Sequence, residues 1–176
     1  PSGNSSNGIT RTNTTLTSFS ADETKMYHTA DGGMDSWGPN RYMNIWICNL
    51  VGTDPSQTLF GHASGTWALT QSPLEDGIVI NYKYFGRGGS AEAPIDQGRT
   101  CTHEVGHYFN LEHIFGDESG CNDDGISDTP LHEGSNEGCF VYPYNANNSC
   151  TGSDEHGEMF MNFMDYVNDT CMHMFT

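Results

Sequence analysis

The chain has 176 residues, enough for one domain with a real core, and carries 23 acidic against six basic side chains, a formal charge of −17. That balance excludes nucleic acid and anionic membranes as partners and favours cations and basic peptides. With 35% hydrophobic residues, 21 Gly and no apolar run of bilayer-spanning length, it reads as a loop-rich globular monomer without membrane insertion. The charge is unevenly spread: residues 1–99 hold nine acids and all six Lys and Arg, whereas residues 100–176 hold fourteen acids and none.

Residues 1–20 are rich in Gly, Ser, Asn and Thr and predict an extended lead-in, without the basic and apolar regions of a signal peptide. The β-branched and aromatic run YMNIWICNLVG (42–52) predicts a buried strand. GTWALTQ (65–71) predicts a short second strand and GIVINYKYF (77–85) a third. GRGGSAEAPIDQGR (86–99) reads as a loop, and no amphipathic helix is expected in residues 1–96. A helix follows over roughly 97–110, with Val105, Tyr108 and Phe109 among its apolar positions. Residues 116–158 lack periodicity. A stretch of that length is functional or disordered unless tied down, and Cys121, Cys139 and Cys150 argue for ties. Six cysteines without a CxxC pair predict disulfides in an oxidising, extracellular compartment; the alternative is free buried thiols.

The chemistry gathers in CTHEVGHYFNLEHIFGD (101–117). His103 and His107 are four apart, on one helix face about 6 Å apart along the axis, where two imidazoles can chelate one zinc ion. His113 would point about 240° around from His107 if the helix continued. The helix must therefore end between them, and Asn110 sits where a left-handed turn is needed, Asn being second only to Gly there. Three His ligands leave the fourth position of a tetrahedron open for a water of pKa about 7, the arrangement of a catalytic site. Glu104 is placed to take a proton from that zinc-bound water, as a general base. Downstream, GDESGCNDDGISDT packs five carboxylates into a turn-rich segment suited to calcium. Asp124, Asp128 and Thr129 are the first candidates, then Glu118 and Asp123, and the alternative is a solvated acidic loop.

HExxH with a third His after a turn resembles the metzincin metallopeptidases, and MNFMDY (161–166) resembles their Met-turn, with Met164 as its methionine. HEVGH, LEHIFGD, DDGISDTP, MNFMDY and DTCM together resemble the pappalysin family, from about Gly8 to the end of the chain. The resemblance implies an α+β metzincin-like catalytic domain, with a small twisted mixed sheet, an active-site helix and a disulfide-stapled C-terminal part. Residues 1–113 would form the upper part and 114–176 the lower. It implies a secreted zinc endopeptidase acting on proteins or peptides, with zinc on His103, His107 and His113. Tyr166 would help hold the oxyanion, and GTWALTQ would be the strand along the cleft rim. It guides the pairing Cys121–Cys150 and Cys139–Cys171, which leaves Cys48 to pair with Cys101.

After a Met-turn, the family walls the pocket for the side chain following the cut bond. Asp169 is the one charge there and would favour Arg or Lys, as some members prefer arginine; the alternative is that it caps a turn. In place of the family's Gly, this chain has Asn110. Because the family begins with a strand and a long backing helix and ends with a further helix, an internal portion of a longer enzyme is expected. The competing functional classes are a calcium-stabilised extracellular binding module that keeps a relic zinc site, and a zinc hydrolase of non-peptide amides or esters.

Overall fold

The apolar run 42–52 forms two strands rather than one. A computed structural model describes residues 7–54, 56–118, 120–145, 150 and 156–176; the first six residues of the expected lead-in lie outside them. The elements are β1 (Phe19–Ser20), β2 (Asn44–Cys48), β3 (Leu50–Val51), β4 (Gly61–Ala63), α1 (Ala68–Gln71), β5 (Gly77–Asn81) and α2 (Arg99–Tyr108). Asn49 interrupts the run: its carbonyl accepts from Phe19 N–H and its side chain donates to Thr17 O. The lead-in thereby enters as β1, parallel to β3.

The main sheet has the order β2–β5–β4, with β5 parallel to β2 and antiparallel to β4. Central β5 is buried along its whole length. Alternation sends Val79 to one face, with Phe19, Met26, Tyr27, Trp46 and Leu50. Each such large side chain contributes roughly 1.5–3 kcal/mol by leaving water. Ile78 and Ile80 face the other way, and α2 packs against β4 and β5. The indole N–H of Trp46 donates to Met34 O at 2.8 Å, so its one polar atom is satisfied inside the core.

Three sequence expectations need correction. GTWALTQ is not a strand: Gly65 to Trp67 form a turn and α1 follows. In this arrangement Ala68 is fully buried while Trp67 and Leu69 are about half exposed. Ala, Leu and Gln are helix formers, and the turn lets their propensity act. The strand bordering α2 is instead Gly61–Ala63, which has no β-branched or aromatic residue to announce it. The third strand stops at Asn81 rather than Phe85. The Asn81 side chain accepts from Lys83 N–H and donates to Leu50 O, turning residues 82–84 into a 3-10 helix.

Beyond α2 the described residues form isolated bridges and one 3-10 turn, Asp169–Cys171, around a second cluster of Phe160, Phe163, Val167 and Met172. Disulfides join Cys121 to Cys150 and Cys139 to Cys171, with Cα atoms 5.2 and 5.9 Å apart. Cys48 and Cys101 do not pair: both thiols are free. The sheet explains this, since Cys48 packs with Trp46 on the Val79 face while α2 carries Cys101 on the other side.

Candidate active site

Helix α2 begins on borrowed acceptors. Gly98 is left-handed and offers no side chain to cap it, so Asp169 caps it from 70 residues away, accepting from the N–H of Gln97 at 2.7 Å and of Arg99 at 3.1 Å. The helix ends on Asn110, the one described non-glycine residue with positive φ, at 69°. Leu111 N–H donates back to Gly106 O and Asn110 N–H to His107 O, a Schellman closure with Asn where Gly is usual. This turn brings His113 to the helix face that holds His103 and His107.

The three Nε2 atoms converge: His107 lies 3.0 Å from both His103 and His113, and His103 lies 3.3 Å from His113. Each Nδ1 faces an acceptor, namely Phe163 O at 2.6 Å for His103, Leu111 O at 2.8 Å for His107 and Asp117 Oδ1 at 2.7 Å for His113. Each Nδ1 therefore carries the proton and each Nε2 presents a lone pair. Burial favours the neutral form of the two helix-borne rings, pushing His103 down to about 3 and lowering His107. Three lone pairs aimed at one point repel unless a cation sits among them. Two nitrogens bound tetrahedrally to one zinc stand roughly 3.3–3.4 Å apart, so the donor set and its spacing both fit zinc. Among the described residues this is the one group of three or more His, Cys, Asp or Glu whose ligand atoms meet.

Glu104 is 6% exposed, and burial pushes its carboxyl up to about 8, where a group can take and return a proton near neutrality. A Cβ on Gly61 of β4 would stand 3.0 Å from Glu104 Cγ, so the bare edge strand leaves this side chain its room. Beneath the triad, a Cβ on Gly106 would fall 2.3 Å from Met164 Sδ, which is why the third residue after His103 has no side chain. The hydroxyl of the half-exposed Tyr166 reaches His113 Nε2 at 2.9 Å, and partial burial pushes the phenol up to about 12, keeping it a donor.

A family model described as Peptidase_M43, pregnancy-associated plasma protein-A, matches residues 27–176. The chain belongs to the pappalysin family of metallopeptidases. Mature mirolysin of Tannerella forsythia, in complex with a cleaved peptide, is 47% identical with a TM-score of 0.91, over 99% of this chain and 63% of that one. Mirolysin in complex with a small compound superposes with a TM-score of 0.90 at 47% identity and the same coverage. An extracellular metalloprotease of Arthroderma otae is 32% identical over 133 residues, 75% of this chain and 42% of that protein. The α+β fold is thus that of the pappalysins, and this chain spans about two fifths to three fifths of those relatives' lengths.

Against that family frame, the remaining expected residues separate. Asp169 is 1% exposed, and its first role is the cap on α2; its Oδ1 is buried without a hydrogen-bond partner. In the acidic loop, Asp124 Oδ1 accepts from Ile126 N–H and from the Thr129 hydroxyl, so Asp124 and Thr129 come together. Asp128 points to solvent, Asp123 turns its carboxylate onto Gly125 N–H, and Glu118 contributes a carbonyl to the Asn122 side chain. Sequence reasoning missed Asp117 and Gly106. A glycine in a helix interior costs about 1 kcal/mol against Ala and is itself a sign of close approach. An acid four residues past a candidate ligand was an equally readable sign.

Proposed function

We propose that this chain is the catalytic part of a secreted zinc endopeptidase. The observation carrying the reading is the convergence of three Nε2 lone pairs beside a buried carboxyl and a half-exposed phenol. His103, His107 and His113 would hold the metal, which when bound would polarise the scissile carbonyl and acidify a water. Glu104 takes the proton that the attacking water loses and returns it to the leaving amine. The Tyr166 hydroxyl donates to the oxygen as charge gathers on it. Substrate aligns along the outer edge of β4 as an added antiparallel strand, replacing the rim role expected of residues 65–71. In this reading residues 1–176 form one monomeric domain, with the cleft dividing 1–113 from 114–176.

Three finer features belong to the same proposal. Preference for Arg or Lys after the cut bond rests on the unpartnered Oδ1 of Asp169 in an acidic half that lacks basic side chains. Structural calcium rests on the joined Asp124 and Thr129 in a loop of five carboxylates, and removing calcium should lower the melting temperature. Extracellular action accords with the two disulfides and the names of the fungal relatives. A relic binding module would have no need of Glu104 in its buried place.

The test is Glu104→Gln in the purified protein, assayed on casein and a peptide library. Peptidase activity should fall at least 100-fold while one zinc per chain is retained, and chelation should abolish activity in the parent protein. Normal cleavage by the variant would remove Glu104 from the mechanism.

A further inference from the structure

His113 is the ligand that α2 does not hold. His103 and His107 are fixed by the helix, and their Nδ1 atoms rest on backbone carbonyls. His113 stands on irregular chain, so its ring needs other supports, and HIFGD supplies them within five residues. Ile114 is fully buried, and its N–H donates to Met164 O at 3.3 Å, which pins the backbone beside the ligand. Phe115 stacks on the His113 ring at 4.8 Å between centroids and 8° between planes. Gly116, at φ 64°, closes a turn through its N–H to His113 O, and the chain comes back on itself. That reversal delivers the Asp117 carboxylate to His113 Nδ1.

We propose that Asp117 is the positioning residue of the loop-borne zinc ligand. It fixes the His113 ring and its tautomer, and it raises the electron density at Nε2. The inference rests on the zinc reading above and adds a residue to it. The three ligands then differ in kind. Two have neutral backbone acceptors behind them that no substitution can remove. The third has a charged side chain, with the stronger pull of a carboxylate on the Nδ1 proton. Phe115 and Tyr166 confine the ring on other sides, and the hydrogen bond to Asp117 is the one polar hold on Nδ1 against rotation of His113 about its Cβ–Cγ bond. The Asp117 side chain is 69% exposed, so its removal leaves no buried hole and the fold should stand.

Zinc affinity is the readout, measured by competition with a chromophoric chelator on purified apoprotein. Asp117→Ala should weaken zinc binding about 10–100-fold without moving the melting temperature of the apoprotein. Asp117→Asn keeps an acceptor for Nδ1–H but loses the charge, and should recover part of that loss. Glu112→Ala, which removes an exposed charge beside His113 without touching its ring, should bind zinc as the parent does. Parent-like affinity in Asp117→Ala, or an equal loss in Glu112→Ala, would overturn the proposal. Failure of the parent chain to bind one zinc would instead overturn the underlying zinc reading.

Discussion

The two sides of Asn110 are held together differently. Before it, order comes from a β ladder with five buried residues at its centre and from aromatic packing around Trp46. After it, the described residues have no ladder longer than a single bridge, and two disulfides and buried polar groups take over. Asn136 is the hub of that polar order. Its backbone N–H donates to Asp165 Oδ1, and its side chain donates to both Asp165 Oδ2 and Glu158 Oε2. Two buried acids are thereby reconciled by one neutral amide, and burial pushes Asp165 up to about 6. The contrast teaches where fragility lies. A ladder spreads its stabilisation over many equivalent bonds, whereas the second half concentrates it in a few that cannot replace one another.

Breaking a covalent tie inside the second half should sharpen the contrast most. Replacing both Cys139 and Cys171 by Ala removes a bridge of sequence separation 32. By chain entropy that costs about 3–4 kcal/mol. Hydrogen exchange should show the loss in residues 136–176, with protection in β5 retained. Gly106→Ala strikes the seam between the halves. Overlap with Met164 Sδ should outweigh the gain in helix propensity and lower stability by about 1–3 kcal/mol in chemical denaturation. Asn110 sharpens the boundary itself. Asn110→Gly should change stability by only a few tenths of a kcal/mol, whereas Asn110→Ala should lose about 1 kcal/mol for the left-handed backbone. Equal melting temperatures for the two would show that the turn carries no strain for a side chain.

What could be read from the sequence divides along a different line, between local and long-range facts. The His spacing, the acid beside it and the need for a left-handed residue at 110 are local facts, and local facts survive without coordinates. The strands at 44–48 and 77–81 were legible from their β-branched residues, but the burial expected of both holds only for 77–81, since β2 is an edge strand whose Ile45 and Ile47 are exposed. The edge strand Gly61–Ala63 was not legible, since its role depends on lacking side chains where Glu104 stands. Nor could spacing show that the sheet lies between Cys48 and the helix bearing Cys101. Asp169 was legible as the charge that follows the Met-turn, but its long-range bond to the start of α2 has no signature in the sequence around it.

That bond has a consequence for how the molecule is made. Gln97 and Asp169 are 72 positions apart, and His103 takes its orientation from Phe163, 60 positions downstream. During synthesis the zinc-binding helix emerges long before either partner exists. Until Phe163 and Asp169 have left the ribosome, its first turn is uncapped and its first histidine is free to rotate. The metal centre is thus finished by residues made well after its ligands: a translation intermediate that contains all three histidines but neither Phe163 nor Asp169 would chelate zinc loosely, and the growing polypeptide would gain its full grip on the ion only once both have emerged.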